Sequence, residues 1–208
     1  MGVITAIESQ RSRRRRRSIF VDGEFAAGAH EDVVQALGLA VGQAFDAGRL
    51  AELLRTETAR KAREKALRLI SYRDRSKQEI RTRLRGSDFP EDIVEEVVEQ
   101  LSQVGLLDDE KFSREWVKSR RAGRPMGRAR LLRELRSKGV ERPTIDKALE
   151  DIDEETEYEL AHELAASRLE KTRRDDPAAR RRLISFLGRR GFSWDTIDRV
   201  LNERRNEF

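Results

Sequence analysis

Acidic runs and two histidines are the residues of this sequence that could support catalysis or metal binding. Asp108-Asp109-Glu110 and Asp175-Asp176 could hold a magnesium ion, as nuclease carboxylates do, because Mg²⁺ prefers oxygen ligands. Acidic side chains also stabilise the first turn of a helix, and we favour this interpretation for both runs. His30 and His162 belong to no zinc-binding motif. We therefore expect no metal site.

The sequence also lacks other catalytic patterns. Residues 123–127, G-R-P-M-G, have no following Lys-Ser or Lys-Thr, so they do not form a phosphate-binding loop. No nucleophile lies in a recognisable pattern with a general base. We predict that the protein is not an enzyme and needs no cofactor.

Arginine is the residue type whose distribution indicates a function. Residues 116–140 hold nine Lys/Arg against one Asp/Glu, whereas residues 91–115 hold two against nine. If the basic helices stack in register, they form a positive stripe that suits a polyanion or an acidic protein groove. The alternative is that the opposite blocks are solvated faces that pair with each other.

The predicted contact residues lie in three groups. Trp194, at a predicted helix start, is an exposed interface candidate, whereas the helical spacing of Trp116 favours packing. A second group is the N-terminal basic run, whose role stays open: Arg13, Arg14, Arg15, Arg16 and Arg17. The stripe itself consists of Arg120, Arg121, Arg124, Arg128, Arg130, Arg133, Arg180, Arg181, Arg182, Arg189 and Arg190.

The element that must position these arginines is an internal repeat. Residues 127–149 read as two short helices around Gly139, which suits a helix C-terminus. A period of about 52 residues relates this unit to two others. We match Gly139 with Gly86 and Gly191, so that one residue slips in the first turn. The apolar matches at this period are Ile80, Leu132 and Ile184; Ile93, Ile145 and Ile197; and Val97, Leu149 and Leu201.

The predicted fold is mainly α-helical, with tandem three-helix repeats in an elongated array. A small N-terminal β-hairpin element precedes the repeats, because residues 3–29 are rich in β-branched residues around the Asp22-Gly23 turn. A short helix and a further short strand complete this extension. We divide the chain into residues 1–50 (the β-hairpin extension), 51–106 (repeat 1), 107–152 (repeat 2) and 153–208 (repeat 3).

Composition limits the compartment. The chain has 208 residues, of which 40% are charged, and a formal net charge of +5. It contains no cysteine, which makes a reducing cytoplasm the simplest expectation. No apolar run approaches the roughly 20 residues of a membrane span or the apolar core of a secretory signal, so we predict no membrane association.

Several segments resemble one family. The run 105–120, G-L-L-D-D-E-K-F-S-R-E-W-V-K-S-R, resembles the GLIDD signature of the RecX regulatory proteins. Residues 127–140 are similar to the family's second repeat, and Arg190-Gly191-Phe192-Ser193 to its third. Upstream, the segment Ser71-Tyr72-Arg73 and the Arg75-Ser76 pair that follows resemble the start of the family's first repeat. The resemblance covers about residues 60–205, and residues 3–45 are similar to the N-terminal extension of longer members. The basic run at residues 13–17 departs from the family pattern.

The resemblance implies a curved array that modulates the RecA recombinase in recombination and DNA repair. Such proteins lie in the groove of the RecA filament on single-stranded DNA and mostly inhibit ATP hydrolysis and strand exchange. We expect a monomer whose stripe contacts the filament or single-stranded DNA, with duplex DNA left open. The alternatives are a stand-alone architectural DNA-binding protein, a scaffold for another acidic partner and, least favoured, a nuclease that uses Asp108 and Asp109.

Overall fold

Most elements of the protein are helices in which apolar residues recur at helical spacing. The structure is a computed structural model and describes residues 1–10, 15–123, 125–169 and 177–206. The chain divides into two units, Met1–Leu107 and Asp108–Phe208, and each is described by itself. Separate buried apolar cores serve the N-terminal sheet and each helical repeat. Within the described residues, no helix combines the length and the hydrophobicity that crossing a bilayer would require.

The N-terminal element is a four-stranded antiparallel sheet with the order β3-β2-β1-β4. The predicted hairpin forms β2 and β3, and both residues of its turn have positive φ, Asp22 at 52° and Gly23 at 86°. The sheet is larger than the predicted hairpin, because β1 also pairs with the short β4. Its elements are β1 (Gly2–Ser9), β2 (Arg16–Val21), β3 (Glu24–His30), α1 (Glu31–Ala36) and β4 (Ala44–Phe45).

Repeat 1 completes the first unit. Its first helix is continuous over 26 residues. The second helix begins at a capping box: the Ser76 side chain accepts from the backbone N–H of Glu79, and the Glu79 carboxylate accepts from the backbone N–H of Ser76. The helices are α2 (Ala47–Tyr72), α3 (Lys77–Arg85) and α4 (Glu91–Gln103).

Repeats 2 and 3 form the second unit and have the same three-helix order. The predicted three-helix repeats are therefore confirmed, whereas the boundaries at residues 51, 107 and 153 stay predictions. Repeat 2 contains α5 (Asp109–Gly123), α6 (Arg128–Ser137) and α7 (Arg142–Ala148). Repeat 3 contains α8 (Glu154–Leu169), α9 (Pro177–Arg190) and α10 (Trp194–Asn206).

The predicted register between repeats 1 and 2 is wrong by one residue. The residue with positive φ in the loop of repeat 1 is Asp88 (φ 61°) and not Gly86, whose φ is −66°. Asp88 lies 51 residues before Gly139 (φ 74°), which lies 52 before Gly191 (φ 82°). The buried leucines and the helix caps follow the same offsets: Leu84, Leu135 and Leu187, then Pro90, Glu141 and Ser193. Leu131 and Leu183 are accordingly buried where Leu132 and Ile184 were expected.

Candidate polyanion interface

Several of the predicted stripe arginines bind the fold itself. The Arg120 Nε lies 2.8 Å from Glu134 Oε2, and its guanidinium lies 4.4 Å from the centre of the Trp116 ring. The Trp116 indole donates to the same carboxylate, so this tryptophan packs in the repeat as predicted. Burial alone would raise the pKa of Glu134, but these donors outweigh it and hold the pKa below its ordinary value. Arg120 is therefore neutralised locally.

Arg128 and Arg130 also hold neighbouring chain segments together. The Arg128 guanidinium donates to the backbone oxygen of Leu149 at the end of α7. The Arg130 Nη1 donates to the backbone oxygen of Arg189 at 2.8 Å, which connects α6 with α9. Substituting either arginine would therefore disturb folding as well as surface charge.

Other predicted arginines lack a compensating carboxylate. Arg133 is exposed, and its one described partner is the backbone oxygen of Ala129 in the same helix. Arg180, Arg181 and Arg189 are exposed on α9. Within the described ranges, none of these four has an Asp or Glu at ion-pair distance. Arg121 on α5 is half-buried and likewise unpaired among the residues that the structure describes.

Arg189 lies between two shallow grooves, which together define the α6–α9 arginine face. One groove, of about 280 Å³, is lined by Arg130, Arg133, Glu134, Ser137 and Arg189. The other, of about 350 Å³, is lined by Arg168, Arg181, Arg182, Ser185 and Arg189. We use the name for the six arginines of these linings: Arg130, Arg133, Arg168, Arg181, Arg182 and Arg189. Sequence analysis missed Arg168, although it follows the acidic part of α8.

A close backbone contact fixes α6 relative to α9. The Gly127 N–H donates to the backbone oxygen of Arg190 at 3.0 Å. A Cβ atom on Gly127 would lie 2.2 Å from the Gly191 oxygen, and one on Gly191 would lie 2.4 Å from Arg130 Cβ. Side chains cannot occupy these positions unless the backbone moves. The two glycines therefore set the spacing of the arginine face.

A buried carboxylate supports the same junction. Glu157 on α8 is only 7% exposed and accepts from the backbone N–H of Arg128 at the start of α6. Burial raises the pKa of Glu157, although the backbone N–H groups of Arg128 and Ser193 act in the opposite direction. This acid therefore connects the first turns of α6 and α10 from the inside.

The remaining predicted contact residues lie elsewhere. Trp194 begins α10 and is 64% exposed, as predicted for an interface candidate, but it lines neither groove. Arg16 donates to the backbone oxygens of Gly28 and Asp88, both at 3.0 Å. Arg15 and Arg17 form ion pairs with Glu31. Arg13, Arg14 and Arg124 lie outside the described residues.

Asp108, one of the carboxylates that could have indicated metal chemistry, caps a helix. Asp108 Oδ1 accepts from the backbone N–H groups of Glu110 and Lys111, as a helix N-cap does. No group of three or more His, Asp or Glu side chains within the described part of the chain could hold a metal ion. Asp175 and Asp176 lie outside that part.

Comparison with known proteins identifies the repeats. Family models match four segments: the regulatory protein RecX N-terminal domain at residues 2–46, and the first, second and third RecX three-helix domains at 62–101, 108–149 and 155–201. A "Regulatory protein RecX" from Clostridioides difficile is 33% identical over 207 residues, which cover 99% of this chain and 97% of that relative. One from Streptomyces coelicolor is 40% identical over 147 residues, covering 70% and 78% of the two chains.

Solved structures agree with these matches. A crystal structure of regulatory protein RecX covers 97% of this chain and 100% of its own, with a TM-score of 0.67 at 27% identity. The crystal structure of RecX from Lactobacillus salivarius has a TM-score of 0.65 at 23% identity and covers 72% of this chain and 98% of its own, which supports the fold. The chain belongs to the RecX family of regulatory proteins.

Proposed function

We propose that this protein binds the RecA filament on single-stranded DNA and inhibits RecA ATP hydrolysis and strand exchange in recombination and DNA repair. Its contact surface is the α6–α9 arginine face. Relatives named "Regulatory protein RecX" support a regulatory role. The partner and the direction of regulation follow from the family resemblance.

The observation that carries the assignment to this surface is the set of exposed arginines without carboxylates. Arg133, Arg181 and Arg189 are exposed and unpaired among the described residues. An arginine guanidinium offers several N–H donors in a fixed plane, which suits phosphate and carboxylate acceptors. Contacts to phosphates confer affinity without sequence preference and weaken as salt displaces the protein from the backbone. The filament, with its DNA and the acidic side chains of its groove, offers both kinds of acceptor.

The test is RecA ATPase on single-stranded DNA, with this protein added at sub-stoichiometric concentrations. Wild type should inhibit, and the triple variant Arg133→Gln, Arg181→Gln and Arg189→Gln should need about tenfold more protein, because three polyanion contacts are lost. These residues are better targets than Arg128 and Arg130, since the latter two bind backbone oxygens of the fold. Unchanged ATPase at excess wild-type protein would contradict the proposal.

The same arginine face also favours a second candidate, a stand-alone architectural DNA-binding protein. This function predicts salt-sensitive binding to duplex and single-stranded DNA without RecA. An electrophoretic mobility assay with both DNAs, run beside the ATPase titration, separates the candidates. DNA binding without any effect on RecA would place the architectural function first.

A further inference from the structure

The cleft between α8 and α9 has a volume of about 620 Å³ and opens beside the arginine face. Arg168 and Arg182 line both this cleft and the adjacent groove of the arginine face. The cleft lining combines apolar side chains with three arginines. The lining consists of Leu164, Ser167, Arg168, Ala179, Arg182, Leu183, Phe186 and Arg190.

An aromatic ring of this cleft lies close to two guanidinium groups. The Arg168 guanidinium is 4.3 Å from the centre of the half-buried Phe186 ring, and that of Arg190 is 5.0 Å from it. Arg190 Nη1 also donates to the Pro125 backbone oxygen at 2.9 Å, so its guanidinium is held in place. Arg168 is exposed, and within the described ranges it has no Asp or Glu at ion-pair distance. The cleft therefore suits a flat apolar group attached to an anion.

We infer that this cleft receives an unstacked base of single-stranded DNA, an inference that rests on the proposed function. The base would lie against Phe186 and the guanidinium planes beside it, since bases stack on aromatic rings and on arginine. The flanking phosphates would then lie along the neighbouring groove, within reach of Arg181 and Arg189. The arginine face supplies the electrostatic attraction, and the cleft distinguishes single strands from duplex.

The preference for single strands follows from the shape of the ligand. A base inside a duplex is stacked on both faces and hydrogen-bonded at its edge, so it cannot enter a side cleft without unpairing. Stacking on an aromatic ring is also tolerant of sequence, because each base has a π-face. The cleft therefore adds strand selectivity without adding sequence recognition.

The experiment compares two fluorescent oligonucleotides of about 12 nucleotides, a length within the usual range of single-strand sites. One carries thymine at each position, and the other is abasic with the same phosphates. Fluorescence anisotropy with the full chain should give about tenfold tighter binding of the thymine strand, the expected size of one or two stacked bases. Phe186→Leu retains apolar volume without a ring, and should reduce this ratio to about twofold or less while abasic affinity stays unchanged.

The matched control is Arg189→Gln, which should weaken binding of both strands equally and leave their ratio intact. Circular dichroism and thermal unfolding establish that each variant is folded. Equal affinity of the wild type for the two strands, or an unchanged ratio in Phe186→Leu, would overturn the inference. Inhibition of RecA ATPase without base-dependent binding overturns the inference alone, whereas base-dependent binding without inhibition overturns the proposed function alone.

Discussion

Repeat 1 and the α6–α9 arginine face use the same residue type in different ways. In repeat 1, two arginines reach carboxylates on α4: Arg55 Nη2 lies 2.8 Å from Glu96, and Arg81 Nε lies 3.0 Å from Glu95. On the α6–α9 arginine face, Arg133, Arg181 and Arg189 have no such partner within the described residues. Three further arginines of repeat 1 form ion pairs with glutamate side chains: Arg60, Arg73 and Arg85.

Between repeats 1 and 2, the difference lies in the third helix. The α4 helix packs against α3 and carries acidic residues along its length, so that Glu91 and Glu95 reach Arg81 and Arg85. The corresponding α7 has seven residues and a single carboxylate, Asp146. Similar blocks of charge therefore produce ion pairs between helices in repeat 1, whereas Arg133, Arg181 and Arg189 stay unpaired among the described residues of the second unit. Since exposed ion pairs stabilise little, we assign the pairing mainly to the control of surface charge.

The units also differ in the contacts that hold a loop with positive φ, the loop at Asp88 in the first unit and the loop at Gly191 in the second. In the first unit, the Arg16 side chain donates to the Asp88 oxygen, and the buried His30 ring stacks on Phe89 with centres 6.1 Å apart. In the second unit, Gly191 lies directly against the backbone of Arg130. Side chains hold the loop at Asp88, whereas the loop at Gly191 is held by a close backbone contact that only glycine allows.

The largest expected effect is therefore at Gly191. Gly191→Ala adds a Cβ atom 2.4 Å from Arg130 Cβ at a φ of 82°. Overpacking and backbone strain together should lower the free energy of unfolding by about 3 kcal/mol or more. Both tryptophans, Trp116 and Trp194, lie in the second unit, so tryptophan fluorescence during urea unfolding reports on this unit.

Gly188→Ala is the matched control for this prediction. A Cβ atom at Gly188 meets nothing within 4 Å, and the residue lies inside α9. Alanine should stabilise the helix by about 0.5–1 kcal/mol. Equal unfolding midpoints for the two variants would contradict the close backbone contact.

Loss of the Arg16 side chain should have a smaller effect. Arg16→Ala removes donors from the Gly28 and Asp88 carbonyl oxygens, which should cost about 2 kcal/mol. Hydrogen exchange of the first unit measures this loss, with faster exchange expected in β3 and in the α3–α4 loop. Arg15→Ala is the control, because the Arg15 side chain is 64% exposed and its loss should change stability by at most about 0.5 kcal/mol. Similar exchange in both variants would show that Arg16 does not hold this loop.

Glu157 gives the smallest prediction, a dependence on pH. Burial raises the folded-state pKa of this carboxyl above its ordinary value of 4.5, so protonation is favoured by folding. The resulting stabilisation is complete below pH 4.5 and is lost as the pH rises through the folded pKa. In Glu157→Gln this loss should disappear, and urea unfolding between pH 4.5 and 7 measures it.

The control for this series is Glu163→Gln, at an exposed position farther along the same helix. Glu163→Gln should retain the slope of the wild type. A wild-type slope in Glu157→Gln would contradict the role assigned to the buried carboxyl.

The sequence predicts the helices because apolar spacing and caps are local signals. The Ser76 capping box, the Asp22-Gly23 turn and the burial of Ile145 are all read directly from neighbouring residues. The register error at repeat 1 arises because Asp88 adopts the left-handed conformation that a search for glycine misses. The aromatic residue after the turn, Phe89 in repeat 1 and Phe192 in repeat 3, could have revealed the correct alignment.

The candidate site was less predictable, since it depends on which arginines find partners across the fold. Arg128, Arg130 and Arg133 look alike in sequence, but Arg128 and Arg130 donate to backbone oxygens 21 and 59 residues away. Such contacts have no local signal. Charge blocks therefore locate a basic region, and tertiary contacts determine which of its members remain open.

The most direct test of the account is the affinity for RecA filaments on single-stranded DNA as a function of salt. Three proteins are compared: wild type, the Arg133, Arg181 and Arg189 glutamine variant, and an equal-charge variant with Arg55→Gln, Arg60→Gln and Arg85→Gln. We predict that the variant of repeat 1 binds like wild type. The α6–α9 variant should bind about tenfold more weakly, with a slope of log affinity against log salt that is shallower by about 2. Equal losses in both variants would show that net charge alone matters, and would contradict the arginine face.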